Sequence, residues 1–474
     1  MVSQRSRLIP PWPHATLLYD GAAFGQVFSA SCYNSIVFHV TMAKILPFSA
    51  VRYNPARVHL PDVVTQPYDK ITADMQERYY SASSYNLVRI ILGKREPGDN
   101  GQNVYSRAAA AFSQWREEAI FLRDPEPMLY AYAQEFAVPG SPDKRLERLG
   151  FIALGQLEPY DAGVVFRHEQ THSGPKTDRL NLLRATRAHF GQIFMLYNDP
   201  AGEIDNALAK VARYPADIEV HDEYNVRHRV WPIPGLVEFI RRRMENAQLI
   251  IADGHHRYET ALNYQRERRE QDPAAPPAGE ATYDRVMMTF INMYSEGLVI
   301  LPTHRVIAGL EGFREEQFLD SVRAFFDVEP VQVSDAAQAT ATLHSAGGHG
   351  TVLLAILQSG GFLLRARPAE VEQTLAQLSA HQRALDVVVL HKLGLELALG
   401  ISEEAIREQR YISYLRDADE AIARVRNGAN VAFLMNPVRI EQVRDTAFAG
   451  EVLPQKSTDF YPKLLSGLTI YAVE

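Results

Sequence analysis

The sequence predicts an α/β protein, of the α+β kind, in which strands and helices are interspersed along the whole chain. Alternating apolar residues predict strands near 128–136 and 148–157. In residues 105–118 the apolar side chains recur at the spacing of one face of a helix, which predicts a helix there. The segment 249–269 joins a short apolar run, an Asp-Gly turn and a helical stretch. Together these observations predict a buried sheet with helices packed on it.

The length of the chain predicts more than one hydrophobic core. The chain has 474 residues, and single cores stop growing at roughly 250–300 residues. Hydrophobic residues make up 46% and charged residues 22% of the chain, which is typical of globular rather than fibrous or disordered proteins. We therefore expect a catalytic α/β region at 42–305 and a C-terminal α/β lobe at 306–474.

Charge and cysteine content exclude several classes of protein. The chain has 49 Lys and Arg residues against 57 Asp and Glu residues, a net charge of −8, which argues against a protein that coats nucleic acid. Cys32 is the only cysteine, so neither an internal disulfide nor a multi-cysteine zinc site can form. No run approaches the ~20 apolar residues of a membrane-spanning helix. These features favour the cytoplasm.

The first 41 residues differ from the rest of the chain. They contain Pro10, Pro11 and Pro13 and lack the charged-then-apolar layout of a signal peptide. A more regular sequence follows Met42. We expect residues 1–41 to be a mis-annotated extension and Met42 to be the start, which mass spectrometry of the natural N-terminus tests.

Between residues 63 and 157 the pattern predicts a loop, two helices and a hairpin. Residues 63–71 are an apolar entry into a Pro-containing loop, and Thr72 is a candidate N-cap for a helix at 72–85. A second helix is predicted at 105–118. The polar residues 139–144 predict the turn between the two strands that follow.

The middle of the chain contains the most polar segments. Residues 167–190 begin as a highly charged loop and become helical after Thr177 or Asp178. The apolar run 249–252 precedes a helix predicted at 258–269, so this stretch predicts a buried strand, a tight turn and a helix. The remaining elements predicted here are an exposed loop at 271–281 and strands at 286–293 and 298–301.

After residue 305 the pattern predicts a second α/β lobe. Its predicted elements are a helix at 315–326, a hairpin of 351–357 and 361–367 around Ser359-Gly360, a helix within 368–399 and a strand at 429–435. The sequence contains no internal repeat that would indicate a solenoid or a propeller.

The most specific functional motif is the run from Asp253 through Gly254, His255 and His256 to Arg257, where a strand gives way to a helix. The glycine permits a tight turn. The free N–H groups at a helix start bind anions, and a guanidinium suits phosphate or carboxylate. Adjacent histidines can transfer a proton, bind an anion or ligate a metal. A solvated helix-capping turn is the alternative interpretation.

A second polar cluster lies in the segment 167–190. His168 and Glu169 precede Lys176 and Arg179. In phosphoryl transfer a glutamate can accept the proton of a substrate hydroxyl while Lys and Arg neutralise phosphate oxygens. A surface loop with weak ion pairs is the alternative.

Other polar segments follow apolar runs at 65–69, 301–305 and 455–458, and turns are the simpler interpretation for them, although Lys456 could reach an anionic ligand. The chain contains no GxxxxGK[ST], GxSxG or HExxH motif. A metal site remains open, because the histidines and carboxylates of the two clusters would be sufficient ligands, although no standard zinc spacing is present.

The sequence resembles domain-of-unknown-function family 1015 of bacteria and archaea from Met42 to the C-terminus. The segments that carry the resemblance are MAKILPFSAVRYNP (42–55), VVTQPYDKI (63–71), RHEQTHSGPKTDRLNLLRATR (167–187), IADGHHRYETAL (251–262), LPTHR (301–305) and LPQKSTDFYPKLLSGL (453–468).

A shorter resemblance concerns the turn at 253–257. It is similar to the turn by which free serine kinases and sulfiredoxins, of the ParB-like nucleotide-binding fold, hold nucleotide phosphates at a helix start. This resemblance implies a ParB-like and sulfiredoxin-like core. It also implies Mg²⁺ with ATP or ADP as cofactors, Glu169 as the base, and serine or phosphoserine as substrate.

These observations lead to one hypothesis and two alternatives. We expect phosphoryl transfer between a nucleotide and a small hydroxylated metabolite, in the kinase or the phosphatase direction. Arg257, Gly254, Lys176 and Arg179 would bind phosphates. The expected catalytic residues are Glu169, His168, His255, His256 and Asp253, with Glu169 activating the hydroxyl and His255 or His256 assisting proton transfer or phosphate binding. The alternatives are a metal-dependent hydrolase and a non-catalytic ParB-like protein that senses nucleotide or partitions DNA.

Overall fold

The alternation of apolar side chains builds a large mixed sheet that is buried on both faces. The computed structural model describes residues 43–169, 174–348 and 350–473, and the expected extension at 1–41 lies outside these residues. Ile250 and Ala252 face one core, whereas Leu249 and Ile251 face the other, because successive side chains of a strand point to opposite faces.

The strands in the described chain up to residue 292 are β1 (Ile45–Leu46), β2 (Val51–Tyr53), β3 (Phe121–Arg123), β4 (Tyr130–Val138), β5 (Ser141–Gln156), β6 (Val165–Phe166), β7 (Ala188–His189), β8 (Ile193–Tyr197), β9 (Ile218–His221), β10 (Arg227–Pro232), β11 (Leu249–Asp253) and β12 (Arg285–Asn292). The later strands are β13 (Val299–Leu301), β14 (His304–Ile307), β15 (Phe326–Val331), β16 (Val352–Leu357), β17 (Gly360–Ala366), β18 (Ile412–Leu415), β19 (Val431–Met435), β20 (Asp459–Tyr461) and β21 (Tyr471–Ala472).

The α-helices are α1 (Ala73–Ala82), α2 (Val88–Ile91), α3 (Asn103–Glu117), α4 (Gly174–Thr186), α5 (Glu203–Val211), α6 (Val237–Met244), α7 (His255–Gln271), α8 (Glu315–Val322), α9 (Ala336–Ala346), α10 (Pro368–Thr374), α11 (Ala380–Arg383), α12 (Asp386–Val389), α13 (Glu403–Arg407), α14 (Ala418–Arg426) and α15 (Ile440–Phe448). A π-helical segment, Leu390–Ala398, follows α12. None of the helices in the described part of the chain has the length and apolar content that a membrane span requires.

The first sheet has the strand order β6-β11-β8-β12-β5-β4-β10-β9, with β1 paired to β5. β6 and β11 are parallel, as are β8 and β12, whereas β11 and β8 are antiparallel. Helices α5, α6 and α7 contribute to the core on one face. The sheet is therefore mixed, and a ParB-like core stays a prediction.

A second sheet, built from residues 304–435, has the order β15-β17-β16-β19-β14-β18 with antiparallel neighbours. After it, the chain returns to the first sheet. β20 pairs with β13, and Phe460, Leu464 and Leu468 enter the core of the first sheet. The domain boundaries expected at 42, 305 and 474 stay a prediction.

Most of the predicted elements are present at shifted bounds. Thr72 caps α1 by accepting the N–H of Met75 at 3.3 Å, as predicted. The predicted turn at 139–144 is shorter, since Gly140 has a φ of 79° and β5 begins at Ser141. The expected hairpin around Ser359-Gly360 is formed by β16 and β17.

Two helix predictions were wrong in extent. α7 begins at His255 rather than near Tyr258, because Gly254 completes the turn in one residue. The stretch 368–399 is several short helices and a π-helical segment rather than one helix. Ser379 is the N-cap of one of these short helices, α11, and its hydroxyl accepts the N–H of Gln382 at 3.1 Å.

Candidate functional site

The candidate site begins at the turn between β11 and α7. Gly254 has a φ of 95°, a left-handed conformation that residues with a Cβ atom rarely adopt. A Cβ atom here would also lie 3.0 Å from Nε of Arg257. Because α7 begins at once at His255, the N–H groups of its first turn favour a negatively charged ligand at the helix start.

Asp253 is an anionic centre of the site and has cations on two sides. Its Oδ2 accepts Nη2–H of Arg257 at 2.9 Å, and its Oδ1 lies 3.7 Å from Nζ of Lys463. Burial raises the pKa of this carboxyl, but the charges of Lys463, Arg257 and Lys70 outweigh burial and hold the pKa far below its ordinary value. Asp253 is therefore suited to holding cations in place rather than to accepting a proton.

Lys463 and Lys70 complete this charge cluster. Nζ of Lys463 lies 3.2 Å from Oδ1 of Asp459, and 10% of the lysine side chain is exposed. Burial lowers the pKa of Lys463, but Asp253 and Asp459 outweigh it and raise that pKa. The pKa of Lys70 is lowered by burial and by the charge of Lys463. These two lysines were not predicted as site residues from the sequence, although both lie in segments that carry the family resemblance.

His168 and His255 form a buried pair next to the turn. Their ring centroids are 4.8 Å apart at an interplanar angle of 68°. Nδ1–H of His168 donates to the carbonyl of Ile251 at 2.7 Å, and its Nε2 accepts from the Thr458 hydroxyl at 2.8 Å. Burial lowers the pKa of His168 to about 4 and that of His255 well below its ordinary value. Both rings are therefore neutral at pH 7.

Glu169 reaches the same edge of the sheet because β6 and β11 are parallel neighbours. Val165 lies opposite Leu249 in the parallel pair, so the residues that follow the two strands lie at the same edge of the sheet. Oε1 of Glu169 accepts the N–H of Lys456 at 2.9 Å. Burial raises the pKa of this carboxyl despite that hydrogen bond. A raised pKa favours proton transfer near neutral pH.

Lys456, which presents its amide to Glu169, is held in an unusual backbone conformation. Its φ is 59°, in the left-handed region that costs free energy for a residue with a side chain. The carbonyl of Lys456 accepts Nη2–H of Arg305 at 3.1 Å, and Arg305 is only 2% exposed. The segment 301–305 therefore has a structural role in fixing the backbone that contacts Glu169.

The two cations expected in the 167–190 segment have protein partners. Nζ of Lys176 forms an ion pair with Glu259 of α7. Arg179 forms an ion pair with Asp178, donates to the carbonyl of Ile91 at 2.7 Å and lies 4.1 Å from the ring centroid of Tyr68. The charge of Lys176 lowers the pKa of His256, which indicates that Lys176 lies near the turn.

His256 is the more exposed of the two adjacent histidines. Its pKa is lowered by burial and by the charge of Lys176, whereas Glu259 and Glu169 act in the opposite direction. The electrostatic influence of Glu169 on His256 brings the two predicted polar clusters into one site. His255 faces His168 instead, so the adjacent histidines have different surroundings.

A cavity of about 70 Å³ adjoins Arg257. Arg179 and Tyr68 contribute to its wall, and much of the remaining lining is apolar, including Phe190. The Thr260 hydroxyl, also in the wall, is buried and has no hydrogen-bond partner among the described residues. The cavity thus offers apolar space with a polar anchor next to the helix start.

Among residues 43–169, 174–348 and 350–473, no three His, Cys, Asp or Glu side chains are grouped closely enough to hold an ion. Asp253, the carboxylate at the turn, already has Arg257 and Lys463 beside it. The described side chains therefore do not fit an all-protein metal cage of the kind that the hydrolase alternative needs.

The buried neutral histidines predict how stability depends on pH. The pKa is lowered by burial to about 4 for His168, His189 and His304, and to about 3 for His391. The unfolded chain therefore binds more protons than the folded chain between these values and about 6.5. The free energy of unfolding is expected to fall on acidification from about pH 6.5 to pH 4, by about 1.4 kcal/mol per pH unit for each such histidine.

Urea denaturation at several pH values measures this slope. Burial raises the pKa of Asp386 to about 6, which makes the fold more stable on acidification. This opposite effect involves one proton, whereas the histidines involve four. Stability that stays constant or rises from pH 6.5 to pH 4 would contradict the neutral histidine assignments.

Comparisons with known proteins identify a family. The protein-family model described as "Protein of unknown function (DUF1015)" matches residues 45–388 of this chain. No curated protein matches the chain. Solved structures with some likeness include a conserved hypothetical protein from Pyrococcus furiosus, at 13% identity and a TM-score of 0.32, covering 65% of this chain and 92% of that chain.

Two further solved structures are similar to the same degree. A free serine kinase in complex with AMP has 12% identity and a TM-score of 0.32, covering 65% of this chain and 88% of that chain. SbnI with a C-terminal truncation, from Staphylococcus aureus, has 10% identity and a TM-score of 0.33, covering 67% of this chain and 87% of that chain. At these TM-scores, the likenesses carry no argument about the reaction.

Proposed function

The chain belongs to the DUF1015 family, whose description assigns no reaction, and we propose from the geometry of its site that it is a phosphotransfer enzyme. It would move a phosphoryl group between a nucleotide and a small hydroxylated metabolite. The observation that carries the proposal is the proximity of Glu169, a carboxyl with a raised pKa, to the cations that surround Asp253. Phosphoryl transfer needs both a proton acceptor and positive charge.

The phosphates would bind at the start of α7. Arg257, Lys463 and Lys70 all act electrostatically on Asp253, so three cations lie at the turn, with Asp459 as a second carboxylate beside Lys463. The N–H groups at the helix start add fixed dipoles of the same sign. A nucleotide phosphate that enters here gains charge-assisted hydrogen bonds, which are stronger than bonds between neutral groups.

Glu169 would activate the acceptor. It takes the proton of the substrate hydroxyl while the hydroxyl oxygen forms a bond to the terminal phosphorus of the nucleotide. The bond from that phosphorus to the bridging oxygen breaks, and the nucleotide leaves one phosphate shorter. Cations near the bridging oxygen stabilise the charge that develops there.

The histidines would have unequal roles. His168 and His255 are buried and neutral, and His168 already uses both ring nitrogens, so this pair supports the shape of the turn. His256 is partly exposed and lies in the field of Glu169 and Lys176, which suits it to contact substrate. We propose His256, rather than His255, as the histidine that assists proton transfer or phosphate binding.

Mg²⁺ would enter with the nucleotide as part of the substrate. Mg²⁺ at nucleotide sites keeps several waters and takes one or two protein carboxylates together with the phosphates. Because Asp253 already has Arg257 and Lys463 beside it, phosphates and waters would supply most of the ligands. Once bound, the ion would neutralise phosphate charge, and the residues named above would position the nucleotide and the acceptor.

Serine is the first acceptor to test, because the turn at 253–257 resembles that of free serine kinases. Purified protein would be assayed with ATP or ADP and serine, and in reverse with phosphoserine. A thermal-shift screen with ATP, ADP and AMP tests binding separately from turnover. A nucleotide at 100 times its Kd should stabilise the fold by roughly 2.7 kcal/mol.

Arg257→Lys is expected to weaken nucleotide binding by about 1.5–3 kcal/mol, because lysine keeps the charge and loses the paired N–H donors. Isothermal titration against wild-type protein measures the change. Lysine also preserves a cation beside Asp253, so the fold should persist. Arg241→Lys, an exposed change on α6, is the control. Equal nucleotide affinity in the Arg257 variant and the wild type would remove Arg257 from the phosphate site.

A further inference from the structure

A separate cavity lies in the C-terminal half of the chain, at one end of the second sheet. It has a volume of about 670 Å³ and is lined by residues between 344 and 442. Its polar walls include Thr351, Asp386, Asn436 and Arg439. None of these residues belongs to the turn at 253–257 or to the segment 167–190. Its volume lies within the range of small-molecule sites.

Two opposite charges in this cavity are available to a ligand. The Asp386 carboxyl is half-buried and hydrogen-bonds with the side chain of Thr351. The Arg439 guanidinium is exposed at the rim and acts on Asp386 through its charge. The other arginine in the wall, Arg383, already forms an ion pair with Glu372 at 3.0 Å. Asp386 and Arg439 therefore present one negative and one positive group to the same space.

The backbone that carries Arg439 is fixed. The N–H of Arg439 donates to Oε1 of Gln442 at 3.0 Å, and Nε2 of Gln442 donates to the carbonyl of Ala384 at 2.9 Å. Gln442 thus ties the start of α15 to the chain just before Asp386. Protein contacts therefore hold the backbone next to Asp386 and the backbone of Arg439 together before any ligand arrives.

We propose that this cavity is a binding site for a small zwitterion of the α-amino acid class. Its ammonium group would bind the Asp386 carboxylate, and its carboxylate would bind the Arg439 guanidinium. A carboxylate beside a guanidinium is the complement of adjacent ammonium and carboxylate groups, whereas a simple anion would meet repulsion from Asp386. The remaining volume would hold the amino acid side chain.

A small second cavity adjoins this site and lies next to Arg305. Its volume is about 10 Å³, and it shares Asp386, Asn436 and Gln442 with the larger cavity while also reaching Arg305. Such a volume is about that of one water molecule. Arg305 holds the carbonyl of Lys456, whose N–H binds Glu169. A ligand on Asp386 would therefore lie next to a small cavity that Arg305 also lines, and Arg305 holds the backbone that binds Glu169.

The test is a titration of the full chain with L-alanine, L-lysine and L-glutamate, followed by saturation-transfer NMR and calorimetry. Acetate and methylammonium, which each carry one of the two charges, are the comparison ligands. We expect at least one amino acid to bind and both comparison ligands to bind at least tenfold more weakly. Asp386→Asn and Arg439→Gln should each weaken binding by about 10- to 100-fold, the effect of losing one charge-assisted hydrogen bond.

The Asp386 and Arg439 variants separate this site from the turn at 253–257, because they should not change the affinity of an amino acid that binds at the turn. Arg407→Gln, an exposed change in the same half of the chain, should leave amino acid affinity as in the wild type. Arg439 is exposed, so its variant keeps the test valid if Asp386→Asn lowers the melting temperature. The proposal is overturned if no amino acid binds, if acetate binds equally well, or if Asp386→Asn and Arg439→Gln both bind like the wild type.

Discussion

Replacing Glu169 with glutamine is expected to lower kcat by about 10²–10⁴-fold, the usual contribution of general-base assistance. Glutamine has nearly the same shape and still has an oxygen that can accept the N–H of Lys456, as Oε1 of Glu169 does at 2.9 Å. It cannot accept the proton of the substrate hydroxyl. Nucleotide binding should therefore persist while turnover falls, and calorimetry beside a steady-state assay separates the two.

Glu158→Gln is the matched control for this experiment. Glu158 is also a carboxyl whose pKa is raised by burial, and the substitution makes the same chemical change away from the cations around Asp253. Its kcat should equal that of the wild type. Wild-type turnover by the Glu169 variant would exclude Glu169 as the base, and loss of nucleotide binding would indicate that this carboxyl positions the ligand instead.

Lys463→Met is expected to destabilise the fold by about 3–5 kcal/mol, the typical effect of removing one partner from a buried ion pair. Nζ of Lys463 lies 3.2 Å from Asp459 and 3.7 Å from Asp253. Methionine fills similar space but leaves Asp253 with less positive charge to offset its burial. The midpoint of urea denaturation measures the loss, and nucleotide affinity should fall in the variant that remains folded.

The charge can be separated from the packing with three further variants. Lys463→Arg should retain most of the stability, whereas Lys44→Met, at an exposed position, should behave like the wild type. Adding Asp253→Asn to Lys463→Met should recover part of the loss, because the unpaired carboxylate is then absent. Unfolding of Lys463→Met at the wild-type midpoint would show that Lys463 does not stabilise Asp253.

The strand, turn and helix around Gly254 could be predicted from the sequence because their signals are local. An apolar run predicts a buried strand, and Asp-Gly predicts a turn, without reference to distant residues. The start of α7 was predicted three residues late. The first helical turn contains His255, His256 and Arg257. These consecutive polar side chains show no apolar periodicity, so the sequence pattern there is typical of a loop.

The partners of the turn could not be predicted in the same way. Lys463 lies 210 residues after Asp253 in the sequence, and periodicity contains no information on which distant loops meet. The proximity of Glu169 to the turn depends on the parallel pairing of β6 and β11, and β6 is only two residues long. Lys176 and Arg179 were recognised as cations, but their pairing with Glu259 and Asp178 required three-dimensional coordinates.

The return of the C-terminal segment to the first sheet bears on how the protein is made. A ribosome has synthesised the turn at 253–257 and Glu169 long before it reaches Lys456 and Lys463, so a nascent chain carries Asp253 without Lys463 and Glu169 without the N–H group of Lys456. The site can be complete only after the ribosome has synthesised β20 and Lys463, which follows it. A protease that removes the residues after Leu453 would leave the segments 63–71, 167–187 and 251–262 intact, in a polypeptide without an assembled site.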